Sequence, residues 1–453
     1  MKSFKIFVIW AGKAMVFVAI LIAGFFALEF LLVSPLGDGL QTINYLDMMS
    51  QKQNIDIAFI GPSTIYLGID APTLGKHLGK NVINMSTNGQ LQTESYYFVK
   101  ELYKRNKPET VFIDVSTQRL YRAANGNEAY IRHIETGPNK KEFIKERYGQ
   151  YERSAVFSFL HFREDLFTRT PWNNIKIKLS KGYRDFDADY VSKLTGGNYK
   201  GKGYWTTNAA FESGNAGSRN FPAGFLVNGH FFDESGICTN QLDYLNRTIT
   251  YCQSRGARVI LFVIVQPYAF VGNFPEEYDL FLDYMQNLAA GHGAEFYDFS
   301  MLKRDKFDRT DDSFYDYVHM NGTGAAKFEV VLRSFYNNVL YGDTDPGEYL
   351  YANCTELTND CQFIYCARMS YDSENHIFQT TVVAGNLSDD IEYQFQYKIS
   401  DEEEYITFRD WDMDSTASSE LIGETGCLTV RVNVRCVGSC CEYEQYNNMV
   451  FKK

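Results

Sequence analysis

Excess positive charge, histidine and long apolar runs are all scarce in this chain, and each scarcity narrows what it does. Lys and Arg number 44 against 56 Asp and Glu, a net charge of −12 over 453 residues. Phosphate binding needs clustered cations, so the balance argues against nucleic acid as a partner. Only seven histidines occur: His77, His133, His161, His230, His292, His319 and His376. None lies in a cluster of His and carboxylates with metal-ligand spacing, so metal-dependent hydrolysis ranks low and no metal or cofactor is expected. No internal repeat is convincing. Only one segment is apolar for long enough to cross a bilayer.

That segment is at the start. Lys2, Lys5 and Lys13 precede the run "AMVFVAILIAGFFALEFLLV", residues 14–33, in which Glu29 is the only charge. About 20 apolar residues suffice for a membrane-spanning helix. Basic residues before the run and Asp38 after it point to a single-pass anchor, with its N-terminus cytoplasmic and the bulk of the chain outside. No small-residue cleavage site follows, which favours an uncleaved signal anchor over residues 1–38. Cysteine is also unevenly spread. Cys354, Cys361, Cys366, Cys427, Cys436, Cys440 and Cys441 make up seven of the nine, and an extracytoplasmic location predicts disulfides among them. "CVGSCC" lacks a second ligand pair at zinc spacing.

The remaining composition is ample for a large core, with 45% hydrophobic residues and many aromatics. From residue 55 to 340, short apolar strands alternate with amphipathic helices, the pattern of a layered α/β sheet. "IDIAFI", "NVINMS", "TVFIDVS", "ARVILFVIVQP" and "AEFYDFS" read as strands, and residues 324–340 carry apolar positions in helical register. Residues 119–240 interrupt the alternation and are expected to sit above the site. Within them Tyr204 and Trp205 are candidates for stacking on a sugar, although plain packing is the commoner role of a loop aromatic. "YGDTDPGEY" reads as a linker, and beyond it alternating strands such as "CLTVRVNVRC" predict a Cys-rich β-sandwich over residues 343–453. The α/β domain is assigned to residues 39–342.

In "IDIAFIGPSTIYLGID" the first strand ends at Gly61-Pro62-Ser63. In open α/β sheets the ligand crevice lies outside the carboxyl ends of the strands, so Ser63 is a candidate nucleophile. A serine hydroxyl needs a base oriented by a third group, and donors for an oxyanion. Among the histidines only His319, in "FYDYVHMNGTGAAKF", has suitable company, since Asp316 lies three residues before it. A tight turn at that spacing directs both side chains the same way, and the carboxylate then sets the ring tautomer.

Strand-Gly-x-Ser, a glycine turn after the second strand and Asp-x-x-His before the last helix together resemble the SGNH (GDSL-type) hydrolase superfamily over roughly residues 54–340. The resemblance implies a three-layer parallel sheet with Ser63 as nucleophile and oxyanion donor, Gly89 of "NMSTNGQ" as a second donor, His319 as base and Asp316 as its partner. Two places depart from the family pattern. Pro62 stands in the middle of the first block, and the third block reads "DVSTQ", so that Gln118 takes the place of an asparagine amide. With the anchor, the motifs look like the membrane-tethered members that accompany polysaccharide O-acetylation and teichoic acid D-alanylation. That likeness implies a serine esterase or O-acyltransferase acting on a cell-surface glycan or teichoic acid, beside a membrane-bound O-acyltransferase. Hydrolysis and transfer use the same residues. The rival reading is a non-catalytic envelope-assembly or glycan-binding protein on a degenerate SGNH scaffold.

Overall fold

The computed structural model describes residues 2–36, 40–121, 134–135, 137–149, 155, 157–160, 162–209, 226–227, 229–267, 271, 274–307, 309, 313–316, 318–360, 364–384, 390–399, 404–418, 427–438, 443 and 445–452. Five parallel strands make the central sheet: β1 (Ile57–Ile60), β2 (Val82–Asn84), β3 (Thr110–Asp114), β6 (Arg258–Val263) and β7 (Glu295–Asp298). A short hairpin, β4 (Tyr199–Gly201) and β5 (Tyr204–Trp205), lies between β3 and β6 in the chain. The sheet order is β2-β1-β3-β6-β7. After β1 the chain turns one way to β2 and then returns to the other side for β3, so the winding reverses between β1 and β3. A reversal of this kind opens a crevice at the carboxyl ends of the two strands.

β1 and β3 are buried along their whole length, because helices cover both faces of the sheet. One core takes Ala58, Ile60, Val111 and Ile113, and the opposite core takes Ile57, Phe59, Phe112 and Phe262. Local signals set the helix ends. Asp70 accepts the Thr73 amide at 3.0 Å to open the helix Ala71–Leu78, and Gly79 closes it in the left-handed region at φ 65°. Asn321 accepts the Gly324 amide at 3.0 Å to open Gly322–Phe335.

The N-terminal helix Lys2–Leu32 is a single element, and Phe7–Leu32 is long and apolar enough to cross a membrane. At the other end, β8 (Ile364–Asp372) pairs with β9 (Ile377–Ala384), which in turn pairs with β12 (Thr416–Ser418). β10 (Ile391–Lys398), β11 (Ile406–Asp412), β13 (Cys427–Cys436) and β14 (Gln445–Lys452) form a second antiparallel sheet. Their apolar faces share a core that includes Phe378, Phe395, Val430, Val432 and Val434.

Three features differ from the sequence-based expectation. The stretch read as the start of the sandwich domain packs on the α/β unit: the Tyr351 amide donates to the Met301 carbonyl at 2.8 Å, and Tyr351, Cys354 and Leu357 are buried in its core. Cys354 consequently carries a free, buried thiol there, with its amide on Asp279 at 2.7 Å, and does not staple the sandwich. Cys361, Cys440 and Cys441 lie outside the described residues, as do the side chains of Cys366 and Cys427. Finally, the insertion is not a single cover over the site. Its helix Pro138–Tyr148 stacks Phe143 on Tyr97 of the helix Gln92–Leu102, at 4.3 Å between ring centroids. Its helix Thr170–Leu179 packs on the N-terminal helix, and its hairpin joins the edge of the sheet, where the Asn84 amide meets the Lys202 carbonyl at 2.8 Å. Segments whose few apolar side chains point to different partners settle on separate exposed parts of the core, which composition alone does not resolve.

Candidate active site

The turn after β1 is shaped by lack of space. A Cβ on Gly61 would come within 2.4 Å of Ile65 Cγ1 and 2.8 Å of Asp114 Cβ, so only glycine lets β1 and β3 approach this closely. Pro62 then precedes the short helix Ser63–Gly68 at φ −82°. Its missing amide proton costs nothing, since the amides around a helix start have no carbonyl within the helix to meet. Ser63 is therefore the first helical residue, half-buried at the mouth of the sheet with its hydroxyl pointing along the crevice wall to His319.

The partner is built by local chemistry far along the chain. Asp316 Oδ1 accepts the amides of Val318 at 2.9 Å and His319 at 2.8 Å, which holds both close around the carboxylate. The same carboxylate meets His319 Nδ1 at 3.0 and 2.8 Å from its two oxygens. With the Nδ1 proton donated to Asp316, Nε2 is left as an acceptor, and Ser63 Oγ lies 2.7 Å from it. Partial burial works to raise the Asp316 carboxyl, but the hydrogen bond and charge of His319 and the two amides outweigh it and hold it below the ordinary value. Tyr315 stacks on the imidazole at 5.5 Å, which restrains the ring further.

Ser63 and His319 open into a cavity of about 250 Å³, and Gly89 and Gln118 line it with them. Gly89 has φ 57°, a conformation that disfavours any side chain, and sits in the loop after β2. That loop is tied to β1 by the Thr87 amide on the Gly61 carbonyl at 3.1 Å. Ser63, Gly89, Gln118 and His319, four of the five residues expected to carry the chemistry, thus share one small surface, and the fifth, Asp316, stands behind the imidazole. Tyr204 and Trp205 lie elsewhere. Both are buried and neither lines the cavity; Trp205 Nε1 donates to Asn44 Oδ1 at 2.8 Å and its ring packs on Tyr199. They close a core under the hairpin, so their stacking role is withdrawn.

The structure adds residues that were not anticipated. Arg119, 2% exposed, lies beneath the third loop and pairs with the buried Asp114 at 3.4 Å. Its Nε donates to the Gln90 carbonyl at 2.9 Å, and its two Nη atoms reach the Asp114 carbonyl and Ser95 Oγ. Burial pushes the Asp114 carboxyl up and the Arg119 guanidinium down, and each is the largest source of relief for the other. The loop that carries Gly89 and the end of β3 are in this way bolted to the helix Thr117–Tyr121, which holds Gln118 and Arg119. Gln266 follows β6, is 3% exposed, lines the cavity, and has a side-chain oxygen with no hydrogen-bond partner. Phe231, Phe281, Val263 and Val318 supply apolar wall. The sequence signals were an arginine directly after "STQ" and a glutamine ending an otherwise apolar strand, neither of which separates a site residue from an ordinary surface residue.

No family model matches the chain, and no curated protein matches it. Among solved structures, a lipase/acylhydrolase from Enterococcus faecalis is 13% identical, over 62% of this chain and 95% of its own, with a TM-score of 0.23. A GDSL-like lipase from Bacteroides thetaiotaomicron is 11% identical, over 65% of this chain and 98% of its own, with a TM-score of 0.30. The solved structures that this chain resembles thus include GDSL-like lipases and acylhydrolases.

Proposed function

We propose that the chain is a membrane-anchored serine esterase or O-acyltransferase that acts on a cell-surface glycan through Ser63, His319 and Asp316. The observation that carries this reading is the 2.7 Å contact from Ser63 Oγ to His319 Nε2, with Asp316 holding the opposite ring nitrogen. A core histidine with satisfied bonds has no need of an open cavity at its free nitrogen.

In the first half-reaction the Ser63 hydroxyl passes its proton to Nε2 as its oxygen attacks the acyl carbonyl carbon. The carbonyl electrons move onto oxygen, where the amides of Ser63 and Gly89 and the Gln118 side chain are the donors at hand. Collapse expels the alcohol, which takes the proton from His319, and leaves Ser63 acylated. In the second half, water or a sugar hydroxyl gives its proton to His319 and attacks the ester, which restores Ser63. Asp316 stays ionised throughout and stabilises the imidazolium. An anchor with the N-terminus inside would hold this crevice at the outer surface, where a glycan or teichoic acid is the acceptor and a membrane-bound O-acyltransferase a fitting donor.

The test is acetate release from an aryl acetate and from acetylated glycans by the purified chain, beside Ser63→Ala and His319→Ala. Release by the parent protein alone is expected. Equal rates in all three would sink the catalytic reading and leave the glycan-binding one.

A further inference from the structure

The part of the insertion that does not reach the site is docked on the last turns of the N-terminal helix. Phe25 packs edge-on against Phe157 and Phe159, at 5.5 and 5.6 Å between centroids. Asn174 Nδ2 donates to the Leu31 and Leu32 carbonyls at 2.9 and 3.2 Å, and Lys178 Nζ donates to those of Phe30 and Val33, both at 2.6 Å. Tyr183 Oη adds a bond to the Pro35 carbonyl at 2.8 Å. These donors satisfy carbonyls that a helix end leaves open, and they fix the height of residues 157–160 and 162–184 along the helix.

That height has a consequence for where the segment lies. A bilayer core about 30 Å thick takes about 20 helical residues at about 1.5 Å each. Counted from Phe7, the span ends beside Phe26; counted from the residue after Lys13, it ends at Val33. Phe25 is inside the apolar span in both placements, and whatever packs on Phe25 is at the lipid boundary. The segment is dressed for that boundary. Phe167 is 95% exposed, Trp172 69% and Leu179 59%, with Leu166 also exposed. Exposed apolar groups of this size on one short stretch mark an interaction surface, and Trp is favoured at the membrane interface. The charge also fits. In a chain of net charge −12, residues 163–184 carry Arg163, Arg169, Lys176, Lys181 and Arg184, besides Lys178 bonded to the helix, against Glu164 and Asp165, with Asp185, Asp187 and Asp189 following. Basic residues flanking interfacial aromatics are drawn to anionic headgroups.

We infer that residues 163–184 form a second, peripheral membrane contact: Leu166, Phe167, Trp172 and Leu179 enter the outer boundary of the bilayer beside the exit of the N-terminal helix. The contact rests on that helix spanning the membrane and is independent of the chemistry at Ser63. Together, the helix and the contact hold the α/β domain at two points, which restricts its tilt over the membrane.

The four tryptophans, Trp10, Trp172, Trp205 and Trp411, allow a direct test. The full chain, Trp10→Phe, Trp172→Phe and the double variant are reconstituted in vesicles of phosphatidylcholine and phosphatidylglycerol. A fraction of the lipid is brominated on the acyl chain close to the headgroup. Quenching in Trp10→Phe that is lost in the double variant is expected, and it should weaken when phosphatidylglycerol is omitted. Equal quenching in Trp10→Phe and the double variant, while Trp172→Phe still reports a quenched Trp10, overturns the contact and leaves the anchor standing. A Trp10 that no acyl-chain bromine quenches removes the anchor, and the inference falls with it. Assay of Ser63 chemistry on a soluble aryl acetate reads the catalytic proposal separately.

Discussion

At the carboxyl ends of β1, β3 and β6, charged and amide side chains are turned inward and buried, whereas along residues 163–179 aromatic and aliphatic side chains are turned outward and exposed. Both regions break the usual distribution of polar and apolar groups, and in opposite senses. Asp114, Arg119 and Gln266 are buried within hydrogen-bonding distance of the crevice loops or facing the cavity. Phe167 and Trp172 are exposed beside a helix long and apolar enough to cross a membrane. A buried polar group and an exposed apolar patch are the informative departures in a folded protein, and each marks a requirement other than folding. In the crevice the proposed function makes that requirement rigid placement of backbone donors, and at the foot the inferred membrane contact makes it a second solvent.

The contrast yields predictions that differ in kind. The largest effect is expected at the catalytic group itself: Ser63→Ala and Asp316→Asn should each lower kcat for an aryl acetate by about 10⁴-fold or more while the thermal unfolding profile stays close to the parent's. Next comes the crevice frame. Arg119→Met leaves Asp114 without its counter-charge in a buried position, and urea denaturation should register a loss of about 3–5 kcal/mol. Gln118→Ala removes one side-chain donor, for which a fall in kcat of about 10²–10³-fold is expected, with KM little changed.

A fourth prediction concerns pH. Burial pushes the Asp298 carboxyl up to about 7, against the relief it draws from Tyr278 and Ser300. The folded state therefore keeps this proton while the unfolded chain releases it near the ordinary carboxylate value of about 3.9. The contribution of Asp298 to stability falls as pH rises from about 4 to about 7, because the folded state binds the extra proton in that window. Asp298→Asn should flatten the decline in melting temperature across it, and an unchanged slope would remove Asp298 as its source. The smallest effect is expected at the foot. Phe167→Ser and Trp172→Ser should each change the stability of the detergent-solubilised protein by no more than about 0.5 kcal/mol, since exposed side chains lose little packing when shortened. A large loss there would make the foot part of the core and erase the contrast with the crevice.

How far each part was legible in the sequence follows the same division. The strands "IDIAFI", "TVFIDVS" and "ARVILFVIVQP" were readable because a sheet covered on both faces demands unbroken apolar runs. The "DYVH" turn was readable because its bonds are local: Asp316 caps its own turn and orients His319 within three residues. Tyr204 and Trp205 misled, because an aromatic in a Gly-rich loop carries no mark of the core it closes. The insertion misled in the same way, since the sequence shows where the alternation is interrupted and leaves open which surface the interrupting segment covers. Gly61 had an apparent reason as a turn residue, and its real one is the Cβ space taken up by Ile65 and Asp114.

What the sequence determined by itself is the set of local rules: alternating strands and helices, a span of apolar residues at the start, an Asp-x-x-His turn, and a serine at the end of the first strand. Periodicity and hydrogen bonds across three or four residues are enough for these. Only the tertiary structure decided that Ser63 and His319, 256 residues apart, stand 2.7 Å from each other, that one guanidinium ties the loop of Gly89 to the end of β3, and that the segments carrying Phe167 and Trp172 pack on the N-terminal helix. Such placements depend on which faces pack together across the whole domain, and distance along the chain holds no record of that.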